Sequence, residues 1–337
     1  MSHRGLGRPV TRAAGTTAAA GLAALAGRYA RARAAADRNW ARQVETRLTG
    51  LGEVDAVSIL PLVERLTSEP SGPPLQGEAG LSYLVRAGAR TLLFDTGLNL
   101  RGADPSPLVE NAAALGVDLQ ALDGVVISHL HPDHVGGVRM ALRRTFGLSP
   151  APLEARGLPA YVPTEMAHER ADVVPTAGTR VIAPGVAVLP PLPAAVFMGP
   201  VREQAVVVNV RGFGLVVLTG CGHPPIERIL GVIEQVLDVP VRAVVGGLHL
   251  PVHAWGTSLV PQAVLGNPHW PWQPISERDA EHVIAEIRAR GPRVVALSGH
   301  DSTPWTLDTF HRTFGDGYRT MRVGEELRID AGGLGTS

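Results

Sequence analysis

A cluster of three histidines and one aspartate, placed directly after an apolar run, constrains this chain more than any other feature. The apolar residues at positions 125–127 predict a buried strand that ends at Ser128. The stretch that follows, HLHPDHVGG, contains His129, His131, Asp133 and His134. A loop that is merely rich in histidine is the alternative, but four residues at these offsets are typical of metal ligands. The spacing favours two adjacent cations over one, and Pro132 is expected to keep the ligands on a loop rather than a helix.

Three more predicted strands end in histidine. His223 follows LVVLTGCG, His249 follows AVVGGL and His300 follows VVALSG. Each histidine comes shortly after a glycine, which permits a close approach of the backbone to a site. Packing alone does not explain why separate strands end in the same residue type. His223 and His300 are therefore predicted metal ligands, and His249 is a second-tier candidate.

Two other residues near these strand ends are also second-tier candidates. Asp95 precedes Thr-Gly at the end of a predicted strand, where a carboxylate either caps a turn or orients a ligand histidine. Cys221 lies two residues before His223 and is either a small buried residue or a thiolate that binds or bridges the metals. The sequence leaves these alternatives open.

Composition limits the partners that this chain is expected to have. Its formal net charge is zero over 337 residues and its aromatic content is 4%, so neither a basic field nor a base-stacking surface is predicted for nucleic-acid binding. A small-molecule substrate is expected instead. A single cysteine excludes an internal disulfide, and no apolar run has the length of a membrane span. A cytoplasmic location is expected, with export or membrane association through residues 1–27 as the alternative.

The N-terminal segment is rich in alanine and arginine, and its composition predicts a helix from about residue 11 to residue 48. A weak signal peptide that includes residues 13–27 is the alternative interpretation. Two glycines at 50 and 52 are expected to end the helical segment. We therefore predict an N-terminal extension over residues 1–53 and a catalytic domain over residues 54–332.

Within the predicted catalytic domain, strands and helices alternate, with hairpins interspersed. This pattern predicts an α+β fold in which two mixed sheets pack face to face with helices outside, an αββα sandwich. Residues 251–274 form a proline-rich insertion that holds three of the five tryptophans. The insertion is either a surface loop or oligomer contact, or a lid whose rigid aromatic side chains cover an apolar part of the substrate.

These motifs together resemble the metallo-β-lactamase superfamily over roughly residues 54–330. The stretches GEAGLSYLVRAGARTLLFDTG, TGCGHPPIERIL, VVGGLHL and FGDGYRTMRVGEEL look like its dihydropterin–ribofuranosylaminobenzene phosphate synthase branch. The resemblance implies that one metal is bound by His129, His131 and His223. It implies that the other is bound by Asp133, His134 and His300. The chain departs from the family where Thr-Gly-Cys at 219–221 replaces Ser-Gly-Asp with its bridging carboxylate, and where SGHDST replaces the closing motif of the branch.

Two adjacent divalent cations would activate a shared water by lowering its pKa to about 7. Zinc is the expected metal, with manganese or iron possible, and Asp133 is expected both to bind metal and to accept a proton. The helix predicted after His223 favours an anionic group near the site, so a phosphate-bearing substrate is expected ahead of an ester or lactone. The alternatives are a condensing synthase or lyase, an iron-dependent redox enzyme and a non-catalytic binding module.

Overall fold

The computed structural model describes residues 9–43, 46–69, 72–149, 157–270 and 272–335. Over this part of the chain the first sheet has eight strands and the second has seven. The first sheet contains β1 (Ala56–Val63), β2 (Ser82–Ala87), β3 (Arg90–Phe94), β4 (Gly124–Val126), β5 (Pro159–Val162), β6 (Asp172–Pro175), β16 (Leu327–Asp330) and β17 (Gly333–Leu334). Its order is β17-β16-β1-β2-β3-β4-β5-β6, with both parallel and antiparallel neighbours.

The second sheet contains β7 (Arg180–Ala183), β8 (Val186–Val188), β11 (Val206–Val210), β12 (Gly214–Thr219), β13 (Val241–Gly246), β14 (Val294–Leu297) and β15 (Tyr318–Thr320). Its order is β15-β14-β13-β12-β11-β8-β7. A separate hairpin joins β9 (Leu192–Val196) to β10 (Gly199–Glu203). From β12 to β15 all neighbouring strands are parallel, so their carboxyl ends lie at one edge of the sheet.

The helices are α1 (Pro9–Ala41), α2 (Pro107–Ala114), α3 (Pro132–Val135), α4 (Val138–Leu142), α5 (Ile226–Val236), α6 (Val260–Leu265), α7 (Glu277–Ala289) and α8 (Pro304–Phe314). Short 3₁₀ turns span Leu119–Ala121 and Gly315–Gly317. Helices α5, α7 and α8 cover the outer face of the second sheet, and α2 covers the outer face of the first. The αββα prediction is therefore confirmed.

The central core lies between the two sheets, because their strands alternate in which face each side chain occupies. Val57, Ile59 and Val85 of the first sheet are fully buried against Val208 and Val216 of the second. The opposite faces of the same strands pack against the helices. Burying both faces requires nearly continuous apolar strands, which is why this sequence reads as runs of valine and leucine. The rigid sandwich fixes the strand ends from which the site is built.

The N-terminal helix begins and ends earlier than the predicted span of 11–48. It covers Pro9–Ala41 and packs against β9 and β10, with Tyr29 almost fully buried. The prediction was wrong for residues 46–48, which are not helical. Leu48 instead donates its N–H to Val236 O and packs against the core of the second sheet, so tertiary contacts override helix propensity there. The domain boundary between residues 53 and 54 stays a prediction.

The expectation that Pro132 prevents a helix was also wrong. Pro132 occupies the first position of α3, where the missing N–H has no helical partner to lose. Asp133 and His134 therefore lie on a single helical turn, which ends at Gly136 in the left-handed conformation. In the described part of the chain, no helix is both long and apolar enough to cross a bilayer.

Candidate metal centre

Six strands from both sheets end at one place, and each is followed by a polar residue of the site. Strands β1, β3 and β4 of the first sheet lead to Glu64, Asp95 and His129. Strands β12, β13 and β14 of the second sheet lead to the segments that carry Cys221 and His223, His249, and His300. Ligand sites of α/β sheets commonly lie outside the carboxyl ends of the strands, and this arrangement places the donors there.

Three histidines form the first donor group. His129 Nε2 lies 3.0 Å from His131 Nδ1, and His131 Nδ1 lies 3.1 Å from His223 Nε2. Two nitrogens bound to one tetrahedral zinc ion are about 3.3 Å apart, given Zn–N bonds of about 2.0–2.1 Å. The three imidazoles are therefore close to the geometry that a shared cation requires.

The second donor group contains Asp133, His134, Cys221 and His300, whose ligand atoms lie within 4.8 Å of one another. His134 Nε2 is 3.7 Å from Asp133 Oδ2 and 3.1 Å from Cys221 Sγ. Cys221 Sγ is 3.3 Å from His300 Nε2. A set of two imidazoles, one carboxylate and one thiol suits a borderline-soft divalent cation such as zinc. The structure thus brings all six primary candidates of the sequence into two adjacent donor groups.

Cys221 occupies the centre of the site. Its sulfur belongs both to the second group and to a set formed with His129 and His223. The residue is 2% exposed, and burial raises the pKa of its thiol well above the usual range, with nearby carboxylates raising it further. A bound cation reverses this preference because a coordinating thiol is deprotonated. The sulfur thus lies within reach of donors from both groups.

Asp95 orients His134 through the ring nitrogen that is not part of the donor group. Its Oδ2 lies 2.7 Å from His134 Nδ1, and its Oδ1 accepts the Ser128 N–H at 2.6 Å. The hydroxyl of Ser128 donates to Asp95 and lies 3.0 Å from His129 Nδ1. Hydrogen bonds of this kind fix the tautomer and the ring orientation of a metal-ligating histidine. Asp95 was expected either to cap a turn or to orient a ligand histidine, and the geometry favours the second role.

A second buried chain of hydrogen bonds supports His300. Its Nδ1 lies 2.5 Å from Ser298 Oγ, which in turn donates to Glu64. Glu64 also accepts from the hydroxyl of Tyr83 at 2.6 Å. Burial raises the pKa of Glu64 to about 7, against hydrogen bonds that lower it. This chain links β1 and β2 of the first sheet to the end of β14 in the second.

Glu203 holds the segment that carries two of the ligand candidates. Its carboxylate accepts three consecutive backbone N–H groups, from Cys221 at 3.0 Å, Gly222 at 2.8 Å and His223 at 2.8 Å. The side chain is buried, and burial raises its pKa even though these hydrogen bonds lower it. Because one acid fixes three successive amides, it sets the positions of both the sulfur and the imidazole.

His249 lies behind the first donor group, with its ring centroid 4.7 Å from that of His223. Its backbone adopts a left-handed conformation, and its N–H donates to Asp301 at 2.8 Å. Cys221, His249 and Asp301 have ligand atoms within 4.8 Å of one another. His249 is therefore inside the polar centre, while His253, His269 and His282 are engaged with surface carboxylates.

Burial controls the charge of the imidazoles. It lowers the pKa of three of them well below the usual range, and neighbouring histidines lower it further: His129, His223 and His300. Burial also lowers the pKa of His131 to about 4. Burial opposes protonation of His134 as well, but the carboxylates of Asp133 and Asp95 raise its pKa to about 9. The four imidazoles that burial keeps neutral retain a lone pair for a cation, whereas His134 must lose its proton to bind one.

A cavity of about 400 Å³ opens beside the donor groups. The insertion at 251–274 contributes part of its wall through Ser258, Pro261, Gln262 and Leu265. The tryptophans of the insertion do not line it: Trp255 and Trp272 are 74% and 68% exposed and border a different cavity. The version of the lid hypothesis that relied on these aromatic side chains was therefore wrong, although the insertion does border the site.

Sequence reasoning missed three buried acids of the centre, namely Glu64, Glu203 and Asp301. Each is at most 2% exposed. The signal was present for Glu64, because a glutamate directly after seven consecutive buried strand residues is unusual unless it has partners. Asp301 was visible as the neighbour of His300, but its contact with His249 depends on the pairing of β13 with β14.

Comparison with known proteins agrees with this architecture. The profile of the metallo-β-lactamase superfamily matches residues 75–231. The chain is 37% identical over 95 residues to Ribonuclease Z of Mycobacterium marinum, which is 27% of this chain and 31% of that protein. It is 30% identical over 95 residues to 7,8-dihydropterin-6-methyl-4-(beta-D-ribofuranosyl)-aminobenzene-5'-phosphate synthase of Methanocaldococcus jannaschii, which is 27% of this chain and 30% of that protein. The matches thus span less than a third of the length of these curated relatives.

A solved structure described as a metal-dependent hydrolase of the beta-lactamase superfamily is similar over 81% of this chain and 99% of its own. The TM-score is 0.55 and the sequence identity is 23%, so this likeness concerns the fold. It extends well beyond the residues that match the profile.

Proposed function

Because this chain contains a metallo-β-lactamase superfamily domain, we propose that it is a metal-dependent hydrolase acting on an ester, lactone or phosphate-bearing small molecule. One observation carries the proposal: seven donor side chains, from the segments that follow β4, β12 and β14, form two adjacent groups beside a cavity. Two divalent cations, zinc by preference, would fit these groups and supply an activated water and Lewis acidity.

The residues of the chain have distinct roles in this proposal. His129, His131 and His223 would hold one cation, while His134, Cys221 and His300 would hold the other. Asp133 has a side chain that is 17% exposed and lines the cavity, so its carboxylate is accessible to water and substrate. Asp133 would bind metal through one carboxylate oxygen and leave the other free to accept a proton from a water molecule at the site.

The contacts near α5 do not support a preference for a phosphate at its N-terminus. The N–H of Arg228, in the first turn of α5, donates to Pro225 O, and the amides of the preceding segment 221–223 donate to Glu203, so none of these is free to bind a substrate anion. Glu227 adds a carboxylate to the first turn of α5. We therefore rank an ester or lactone ahead of a phosphate-bearing substrate, which reverses the expectation from sequence.

The condensing synthase is the second candidate, and the similarity to a named synthase over 95 residues is the observation that favours it. It predicts product formation from two co-substrates without consumption of water. The iron-dependent redox alternative predicts iron in the purified protein and consumption of oxygen. We propose a cytoplasmic location, where Cys221 would stay reduced.

Metal analysis together with a hydrolysis panel tests the proposal. We expect close to two zinc ions per chain, loss of hydrolysis on chelation and recovery on adding zinc. Asp133→Asn should lower kcat by at least a hundredfold, while the surface variant His282→Asn should match the parent. Hydrolysis that persists without metal, or a zinc-loaded protein that hydrolyses no ester, lactone or phosphoester, would refute the proposal.

A further inference from the structure

The cavity beside the donor groups has walls of two kinds. One wall carries polar residues of the metal centre, including His131, Asp133 and His223. The rest of the lining includes large apolar side chains, namely Leu98, Leu100, Val138, Met198 and Leu265, which we call the apolar wall. Among the residues that line the cavity, Asp133 is the one acidic residue, and there is no lysine or arginine. Its volume of about 400 Å³ falls within the range of about 300–1,000 Å³ typical of small-molecule sites.

Exposed apolar side chains concentrate around this cavity. Nine large apolar side chains are exposed among the described residues, and four of them border it: Leu100, Val138, Met198 and Leu265. Single exposed apolar residues are normal on a protein surface, but a contiguous group beside a polar centre marks a binding site. These four come from distant parts of the sequence, so local composition does not explain why they meet.

The apolar wall is braced by backbone hydrogen bonds. The N–H of Met198, in the turn of the β9–β10 hairpin, donates to Leu265 O at 3.1 Å. The N–H of Phe197 donates to Asn267 O at 2.9 Å. Gly266 lies so close to His249 that a Cβ there would be 2.5 Å from the imidazole Nε2. The hairpin, the insertion and the metal centre therefore form one connected wall, which pre-forms the cavity.

We propose that this cavity binds an acyl or alkyl chain of the substrate, with the hydrolysed group held at the donor groups. This inference rests on the proposed hydrolase function and names its substrate class as an ester or lactone with an apolar chain. Apolar surface on the chain and the wall would leave water together, and no charged partner for a polar substrate tail lies on that wall.

Chain-length dependence tests the proposal in two ways. In the zinc-loaded protein, kcat/KM for acetyl, butyryl, hexanoyl and octanoyl esters of one alcohol should rise about two- to fourfold per buried methylene, until the chain outgrows the cavity. In a calorimetric titration of the same protein, octanoate should bind at least tenfold more tightly than acetate. The titration needs no turnover, so it tests the cavity even if every ester is inert.

Two variants of the wall and one matched control sharpen both measurements. Octanoate is expected to bind more tightly than acetate, and octanoyl esters to have a higher kcat/KM than acetyl esters. Leu265→Ser and Met198→Ser should each reduce both of these ratios by at least threefold. Leu142→Ser should leave both ratios unchanged, because Leu142 is exposed on α4 and does not line the cavity. Octanoate and acetate binding equally, or wall and control variants behaving alike, would overturn the proposal. If the protein hydrolyses the esters at a rate that does not depend on acyl-chain length, this inference alone is refuted. If it hydrolyses no ester but binds longer carboxylates more tightly, the hydrolase proposal alone is refuted.

Discussion

Glu203 offers the sharpest test of how the metal centre is positioned. Glu203→Gln keeps the size of the side chain but replaces one accepting oxygen by an NH₂ group. Its remaining oxygen can accept the amides of Cys221 and Gly222, so the His223 N–H loses its acceptor. A hydrogen bond to a charged group contributes about 1.5–3 kcal/mol, and a buried unpaired N–H costs about 1–3 kcal/mol.

We therefore expect Glu203→Gln to lower the free energy of unfolding of the metal-free protein by about 3 kcal/mol. A chain of 337 residues has an unfolding entropy near 0.7 kcal/mol/K at about 2.1 cal/mol/K per residue, so Tm should fall by roughly 4 °C. Because Cys221 and His223 move with the loosened segment, zinc affinity should also fall, by about 10- to 100-fold.

The assay combines thermal unfolding of the metal-free protein with zinc titration against a competing chelator. Glu234→Gln is the matched control, since it removes the same charge from an exposed surface pair with Arg290. The control should leave zinc affinity unchanged. If Glu203→Gln binds zinc within twofold of the parent and unfolds at the parent temperature, the three hydrogen bonds do not position the site and the reasoning fails.

Three more changes test the geometry of the site. Ser298→Ala removes the hydroxyl that bonds His300 Nδ1, so the second zinc should bind about 10- to 100-fold more weakly while the first is retained, as measured by metal content after dialysis. In the cobalt-substituted protein, Cys221→Ser should abolish the sulfur-to-cobalt charge-transfer band of the parent, and a parent without this band would contradict thiolate ligation. Gly247→Ala places a Cβ against the backbone oxygen of Gly220 and should lower the free energy of unfolding by about 1–3 kcal/mol. The control Gly231→Ala, in open space within α5, should raise it by about 0.5–1 kcal/mol. Denaturant unfolding measures both changes.

The fold and the grouping of the candidate donor residues could be predicted from sequence because both depend on local patterns. Valine-rich strands interrupted by glycine and followed by histidine show the strand ends directly, and parallel strands bring those ends to one edge. The segment that carries Asp133 and His134 was located correctly, although its conformation was not. The N-terminal helix was expected from composition, but its end depends on Leu48, whose burial is a tertiary effect.

The supporting acids were not predictable because their partners meet only through tertiary structure. Glu203 lies 18 residues before Cys221, and the two come together because the start of β11 pairs with the end of β12. Glu64 and Ser298 belong to different sheets, so their contact depends on how the sheets pack. For the tryptophans of the insertion, composition alone did not reveal that Trp255 and Trp272 border a different cavity from the one beside the donor groups.

The buried acids also make this centre favourable for cations. Asp95, Glu203 and Asp301 are each at most 2% exposed, and burial raises the pKa of all three. A carboxylate in such a position costs several kcal/mol unless positive charge or hydrogen bonds offset the lost hydration. His134, with its pKa raised to about 9 by Asp133 and Asp95, supplies one positive charge against these acids. His134 must release the proton that gives it this charge in order to bind metal through Nε2, so two divalent cations in the adjacent donor groups would supply four positive charges in place of one. They would also convert the Cys221 thiol to a thiolate. The acids and the neutral imidazoles thus form one electrostatic unit, in which each component is favourable when metal is bound.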